Sequence, residues 1–172
     1  MSIVIEKQSK CPLCNKFLDE SKEYMLTPPL ISNIKDDLFI LSDAGIHTNC
    51  INQSNLKNKI YKHMDLYHKR FPLSEAVCII DGKRILNPKN ILSFGLLTSN
   101  ESEELYLFNY LTLNIRNIKK WNDYNKFVSV AEKFLFEEKW EALSDFNYLQ
   151  YIIDKVKIFR LNNPIEQDRN FG

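Results

Sequence analysis

Apolar and polar positions change rhythm several times along this chain. From residue 56 the apolar side chains Leu56, Ile60, Met64, Tyr67 and Phe71 recur at spacings of 4, 4, 3 and 4, which predicts one helix closed by Pro72. At about 100° per residue these five share an arc of roughly 80°. Upstream, Glu23–Leu30 and Asp37–Ser42 read as strands around the polar turn Ser32–Asp36, with Pro28-Pro29 confining the first to an edge. Ser2–Glu6 reads as a short lead-in strand, and Ser42-Asp43-Ala44-Gly45 as the turn towards His47. Downstream, Val77–Ile80 and Arg84–Leu86 flank Asp81-Gly82, a favoured tight-turn pair. Asn87–Asn90 is a turn, and Ile91–Thr98 a strand interrupted at Gly95.

The stretch 105–115 is apolar at 105, 107, 111, 113 and 115, which favours a strand, while Glu103-Glu104 would equally suit a helix start. Two helices are expected at the end. One is capped at Asn122-Asp123 and carries Phe127, Val130, Ala131, Phe134 and Leu135. The other is capped at Ser144 or Asp145 and carries Leu149, Ile152, Ile153, Val156 and Phe159, with Asn162-Asn163-Pro164 ending it and Ile165–Gly172 a frayed tail. The class is therefore α+β. The 172 residues suit an N-terminal module over 1–72 and an α+β domain with a C-terminal helical hairpin over 73–172, or one cooperative unit of both.

The candidate chemistry lies in the first module. Cys11-Pro12-Leu13-Cys14 and His47-Thr48-Asn49-Cys50 supply four soft or borderline donors in two pairs, each with two intervening residues. That spacing lets a tight turn, or the first turn of a helix, aim both members at one ion, and Cys11, Cys14, His47 and Cys50 match a tetrahedral Zn2+ site. Four protein ligands leave no place for an activated water, so a structural ion is expected. Pro12 stiffens the first turn and Asn15 tolerates a left-handed backbone. A competing set would replace His47 and Cys50 by His63 and His68, but it strands Cys50. The fourth cysteine, Cys78, sits in Ala76-Val77-Cys78-Ile79-Ile80 and reads as core packing.

Knuckle, hairpin and a helix bearing the second ligand pair is the order of a treble-clef zinc finger, which residues 8–70 resemble. The C-x2-C…H-x2-C pattern is also similar to the first zinc site of LIM-type modules, although the excursion is longer and no second site follows. The resemblance implies a metal-stabilised scaffold rather than an activity.

Composition narrows the function. With 44% hydrophobic residues a packed core is expected, and 4 Gly without a G-x-G-x-x-G or Walker-type lysine motif argue against a nucleotide cofactor. Net charge is +1, but residues 47–98 hold 8 basic against 3 acidic side chains. Within that segment Lys59, Lys62, Lys69 and Arg70 share an arc of the 57–70 helix, a candidate path for nucleic-acid phosphates or a solvated face. An HNH-like nuclease would need His63 or His68 with Asp65, since His47 is taken by the metal; otherwise both histidines read as helix-surface residues. Phe134-Leu135-Phe136 and Tyr148–Ile153 are apolar on more than one side, which points to helices packed on both the sheet and a partner. No signal-peptide pattern and no run of 18 apolar residues is visible, so a cytoplasmic protein with no membrane contact is expected. Abundant Asn, Ile and Lys suggest a bacterial or phage genome. The expectation is a non-catalytic zinc protein that binds another protein, such as a small inhibitor, immunity or accessory protein.

Overall fold

A computed structural model describes residues 4, 5, 8–19, 21–70 and 72–162. Most of the expected Ser2–Glu6 strand, Phe71, and the tail Ile165–Gly172 lie outside the described residues; Val4 and Ile5 are not in a strand. The class is α+β: two small antiparallel sheets of two strands each, with helices.

The first sheet pairs β1 (Tyr24–Leu26) with β2 (Gly45–His47), Met25 opposite Ile46. The expected strand over Asp37–Ser42 is corrected: Phe39–Leu41 is a 3-10 turn, and β2 takes the place opposite β1. Local hydrogen bonding overrides the apolar run there. The Asp36 carboxylate accepts the Leu38 N–H at 3.0 Å, and successive i to i−3 bonds run from Phe39 to Asp36, Leu41 to Leu38 and Ser42 to Phe39. Leu38 and Leu41 are consequently buried at the threefold spacing of such turns. Glycine suits position 45, the first residue of β2, because a Cβ there would collide with the Leu18 and Val4 side chains.

The single expected helix after His47 is two. α1 (Thr48–Gln53) is broken from α2 (Lys57–Lys69) at Ser54, whose backbone is extended and whose hydroxyl accepts the Leu56 N–H at 3.1 Å. Ile60 is buried on α2, with Leu56, Met64 and Tyr67 packed beside it, as the apolar rhythm requires.

The Asp81-Gly82 turn forms, with Gly82 at φ +67°, but its arms meet at one bridge, Val77 with Arg84. β3 (Ile91–Ser93) pairs with β4 (Thr112–Asn114). Between them Gly95 (φ +69°) and Tyr110 (φ +60°) turn the chain, and the Asn109 amide substitutes for a strand partner. It accepts the N–H groups of Leu97 and Thr98 and donates to the Thr98 carbonyl at 2.7 Å. The ambiguous stretch 105–115 is thus mostly not strand: Glu104–Phe108 is a 3-10 helix burying Leu105 and Phe108, and only Thr112–Asn114 is extended.

α3 (Tyr124–Phe136) buries Phe127, Ala131 and Phe134. α4 (Tyr148–Asn162) buries Leu149, Ile152, Ile153 and Val156. Its cap is Asn147, which accepts the Gln150 N–H at 3.0 Å, rather than Ser144 or Asp145. Around Trp121, the rings of Phe94, Phe108 and Phe127 meet edge-on or tilted, with centroids 4.7–6.3 Å apart.

Two hydrophobic clusters result, one from residues 11–60 with Leu96, the other from 92–156. The segment 31–36 joins them. Ile31 bridges to Leu96, the Asn33 amide donates to the Lys139 carbonyl and accepts the Glu141 N–H, and Asp36 accepts both the N–H (2.7 Å) and hydroxyl (2.6 Å) of Ser99. Removing that carboxylate leaves the buried Ser99 donors unpaired. Asp36→Ala is therefore expected to cost about 2–3 kcal/mol in urea unfolding, whereas an equivalent change at exposed Asp145 should cost almost nothing.

Candidate metal centre

The first ligand pair is held by a narrow knuckle. Lys10 and Phe17 bridge antiparallel, the Cys11 N–H donates to the Lys16 carbonyl at 2.9 Å, and the Asn15 N–H donates to the Cys11 carbonyl at 2.8 Å. The turn closes because Asn15 adopts φ +58°, a conformation asparagine accepts more readily than most residues. The second pair straddles the end of β2 and the start of α1: His47 is the last strand residue and the helix N-cap, and Cys50 lies in the first turn.

These elements bring Cys11, Cys14, His47 and Cys50 together, with one donor atom from each within 4.8 Å of the others. Cys14 Sγ lies 3.4 Å from His47 Nδ1. Tetrahedral bonds of about 2.3 Å to sulfur and 2.1 Å to nitrogen would set such donors roughly 3.6–3.8 Å apart, so the cluster matches the scale of one ion. Cys11 and His47 are buried, Cys14 and Cys50 partly so, and all cysteines are free thiols. His47, 3% exposed, has a sulfur beside Nδ1, and its Nε2 has no hydrogen-bond partner. A buried imidazole so poorly satisfied, among three thiols, suits a cation. The four side chains can hold a metal ion.

The thiols are unequal. The backbone N–H of Lys16 stabilises the Cys14 thiolate and, against burial, brings its pKa down to about 6 with help from His47, Cys50 and Cys11. Burial pushes Cys50 up to about 11, and the neighbouring Cys14 and Cys11 add to the rise. The Lys16 amide was not legible as a functional group, since every residue has one; only the left-handed tolerance of Asn15 hinted at the turn that aims it.

Compared with models of known protein families, with curated proteins and with solved structures, the chain matches none.

The competing histidines do not join the cluster. His68 is exposed on α2. His63, expected on the surface, is 1% exposed, so that reading is corrected. It sits on the inward side because Tyr110, whose left-handed backbone is described above, places its hydroxyl 3.0 Å from His63 Nδ1. The basic arc is largely matched by acids. Lys59 pairs with Asp37 at 3.7 Å, Lys62 with Glu101 at 2.6 Å and Lys69 with Asp65 at 2.6 Å. Arg70 donates to the Ser93 hydroxyl and lies over the Tyr110 ring at 5.6 Å. Cys78 is buried as expected, and its sulfur also accepts the Asn114 N–H at 3.2 Å.

Burial holds the pKa of His63 down to about 4 from 6.5, with repulsion from Lys62 and Lys59 outweighing Asp36 and Glu101. A depressed base binds fewer protons folded than unfolded, so its contribution is intact above 6.5 and lost as pH falls towards 4. The loss amounts to at most about 3 kcal/mol. In urea unfolding across that window, wild type should lose stability with acid more steeply than His63→Gln; parallel curves would contradict it.

Proposed function

We propose that the cluster holds one structural Zn2+ in a treble-clef-like arrangement, and that the chain is a non-catalytic protein which binds another protein. The carrying observation is the donor set itself: three thiols and one imidazole, converging from two segments, complete a tetrahedron without needing solvent. Thiolate-rich sites favour zinc over the hard cations, which take oxygen ligands. When bound, the ion would supply a cross-link between knuckle and α1. The order knuckle, β1–β2 hairpin, α1 supports the treble-clef comparison.

Protein binding is favoured over nucleic acid by the pairing of the α2 lysines. A phosphate backbone there would have to displace Glu101, Asp65 and Asp37 from Lys62, Lys69 and Lys59. Large apolar side chains, by contrast, remain exposed on α3 and α4, including Phe136, Tyr151, Ile158 and Leu161. A nuclease using His63 as general base is disfavoured by that residue's burial and its Tyr110 hydrogen bond. Its size would suit a small bacterial or phage inhibitor, immunity or accessory protein.

Metal analysis of the purified chain should give one zinc per molecule. Substituting Co2+ should produce the visible absorption of a tetrahedral thiolate site. Cys14→Ser and Cys50→Ser should lose the metal and the fold of the N-terminal half, because binding contributes on the order of 10 kcal/mol to such modules. Either variant retaining both native structure and stoichiometric zinc would refute the structural assignment.

A further inference from the structure

A cavity of about 310 Å³, lined by none of the metal-cluster residues, opens beside the aromatic core. Phe108 and Trp121 form its floor, Ile79 and Leu107 its apolar walls, and Lys120 and Lys126 its rim. The walls present apolar side chains to solvent: Ile79 is 58% exposed and Leu107 63% exposed. Neither is on a free-swinging loop. Ile79 donates its N–H to the Thr112 carbonyl at 3.0 Å, and its neighbour Cys78 accepts from Asn114. Asp81, two residues on, accepts from the Asn117 amide at 2.8 Å. Leu107 projects from the 3-10 helix whose other apolar residues, Leu105 and Phe108, are anchored in the core.

The charge at the rim says what would fill this groove. Lys120 and Lys126 are exposed, and neither has a carboxylate partner among the described residues, unlike the lysines of α2. One acid, Asp123, shares the rim and leaves it net positive. A notch of mixed lining, with apolar side chains from Ile79, Leu107, Phe108 and Trp121 beside two unpaired ammonium groups, fits an apolar anchor next to negative charge.

We propose that this groove is a docking site for a partner-protein segment that inserts one large apolar side chain, Leu, Phe or Trp, flanked by Asp or Glu. The proposal rests on the protein-binding reading above and gives that partner a chemistry. It uses none of the metal ligands, so the two stand or fall by different measurements.

The test is selection of a random-peptide phage library on the immobilised full-length chain in zinc-containing buffer, followed by titration of the enriched sequence as a synthetic peptide. The expected consensus is a large apolar residue next to acids. Leu107→Ser and Ile79→Ser should each weaken binding about tenfold or more. The double change Lys120→Glu, Lys126→Glu should weaken the acidic peptide yet strengthen a copy with Lys in place of its acids, which a mere loss of folding would not do. All four sites are exposed, and far-ultraviolet circular dichroism verifies that the variants are folded.

No enriched consensus, or binding indifferent to Leu107→Ser and to the charge swap, would overturn the proposal. So would competition by laurate that shifts the Trp121 fluorescence of a Trp140→Phe variant, which would make the occupant a lipid carboxylate. Concentration-dependent dimerisation lost in Leu107→Ser would also overturn it, because the occupant would be a second copy. Failure to find bound zinc in a chain that still binds the peptide would refute the zinc assignment alone, and stoichiometric zinc without peptide binding would refute this proposal alone.

Discussion

One meeting point in the N-terminal half links segments far apart in sequence, where Cys14 and His47, 33 positions apart, come within 3.4 Å and Cys11 and Cys50 close the group. Around it there is little regular structure to hold the chain. β1 and β2 have three residues each, and α1 six. Elements so short gain almost nothing from cooperative backbone ladders. Order must come from side chains that tie distant segments together. The cysteine–histidine cluster does this, and so does Thr27, donating to the Leu41 carbonyl and accepting the Ala44 N–H at 3.0 Å.

The C-terminal half is stabilised differently. There a large aromatic group does the packing, with Phe94 and Phe127 in contact around Trp121, and α3 and α4 cover it. Even so, side chains again substitute for backbone: Asn109 for a strand, Asn147 for a helix turn, and the Arg160 guanidinium for donors to the carbonyls of Ile118 and Lys119. The polar clasp at Asn33 and Asp36 then meets both halves with partly buried hydrogen bonds. Such bonds add modest net stability when made and cost far more when one partner is missing.

This explains what the sequence could and could not disclose. The knuckle was legible because ligand spacing and Asn15 are local, and the convergence on Cys50 rather than His63 followed from paired spacing alone. The α2 rhythm and the buried residues of α3 were legible because 3.6-residue periodicity survives in any well-packed helix. Residues 37–42 and 105–111 were not. Their apolar spacing suited a strand, but at 37–42 the Asp36 carboxylate and a run of i to i−3 bonds wind the chain locally, which apolar spacing does not record. At 105–111 the Asn109 amide takes the N–H groups of Leu97 and Thr98, 12 and 11 positions away. His63 was misplaced for the same reason. Its inward turn answers to Tyr110, 47 positions away, and no local pattern encodes that pairing.

The brevity of the strands has a further effect. Each sheet has only two strands, so every strand lies at a sheet edge, where other chains can add. On β4 the outer side is already partly taken, the Thr112 carbonyl by the Ile79 N–H and the Asn114 N–H by the Cys78 sulfur. With three residues per strand, and Pro28-Pro29 following β1 closely, such growth would find too few donors and acceptors in line to propagate. In a chain rich in Ile, Phe and Tyr, interruption of the strands works against edge-to-edge growth.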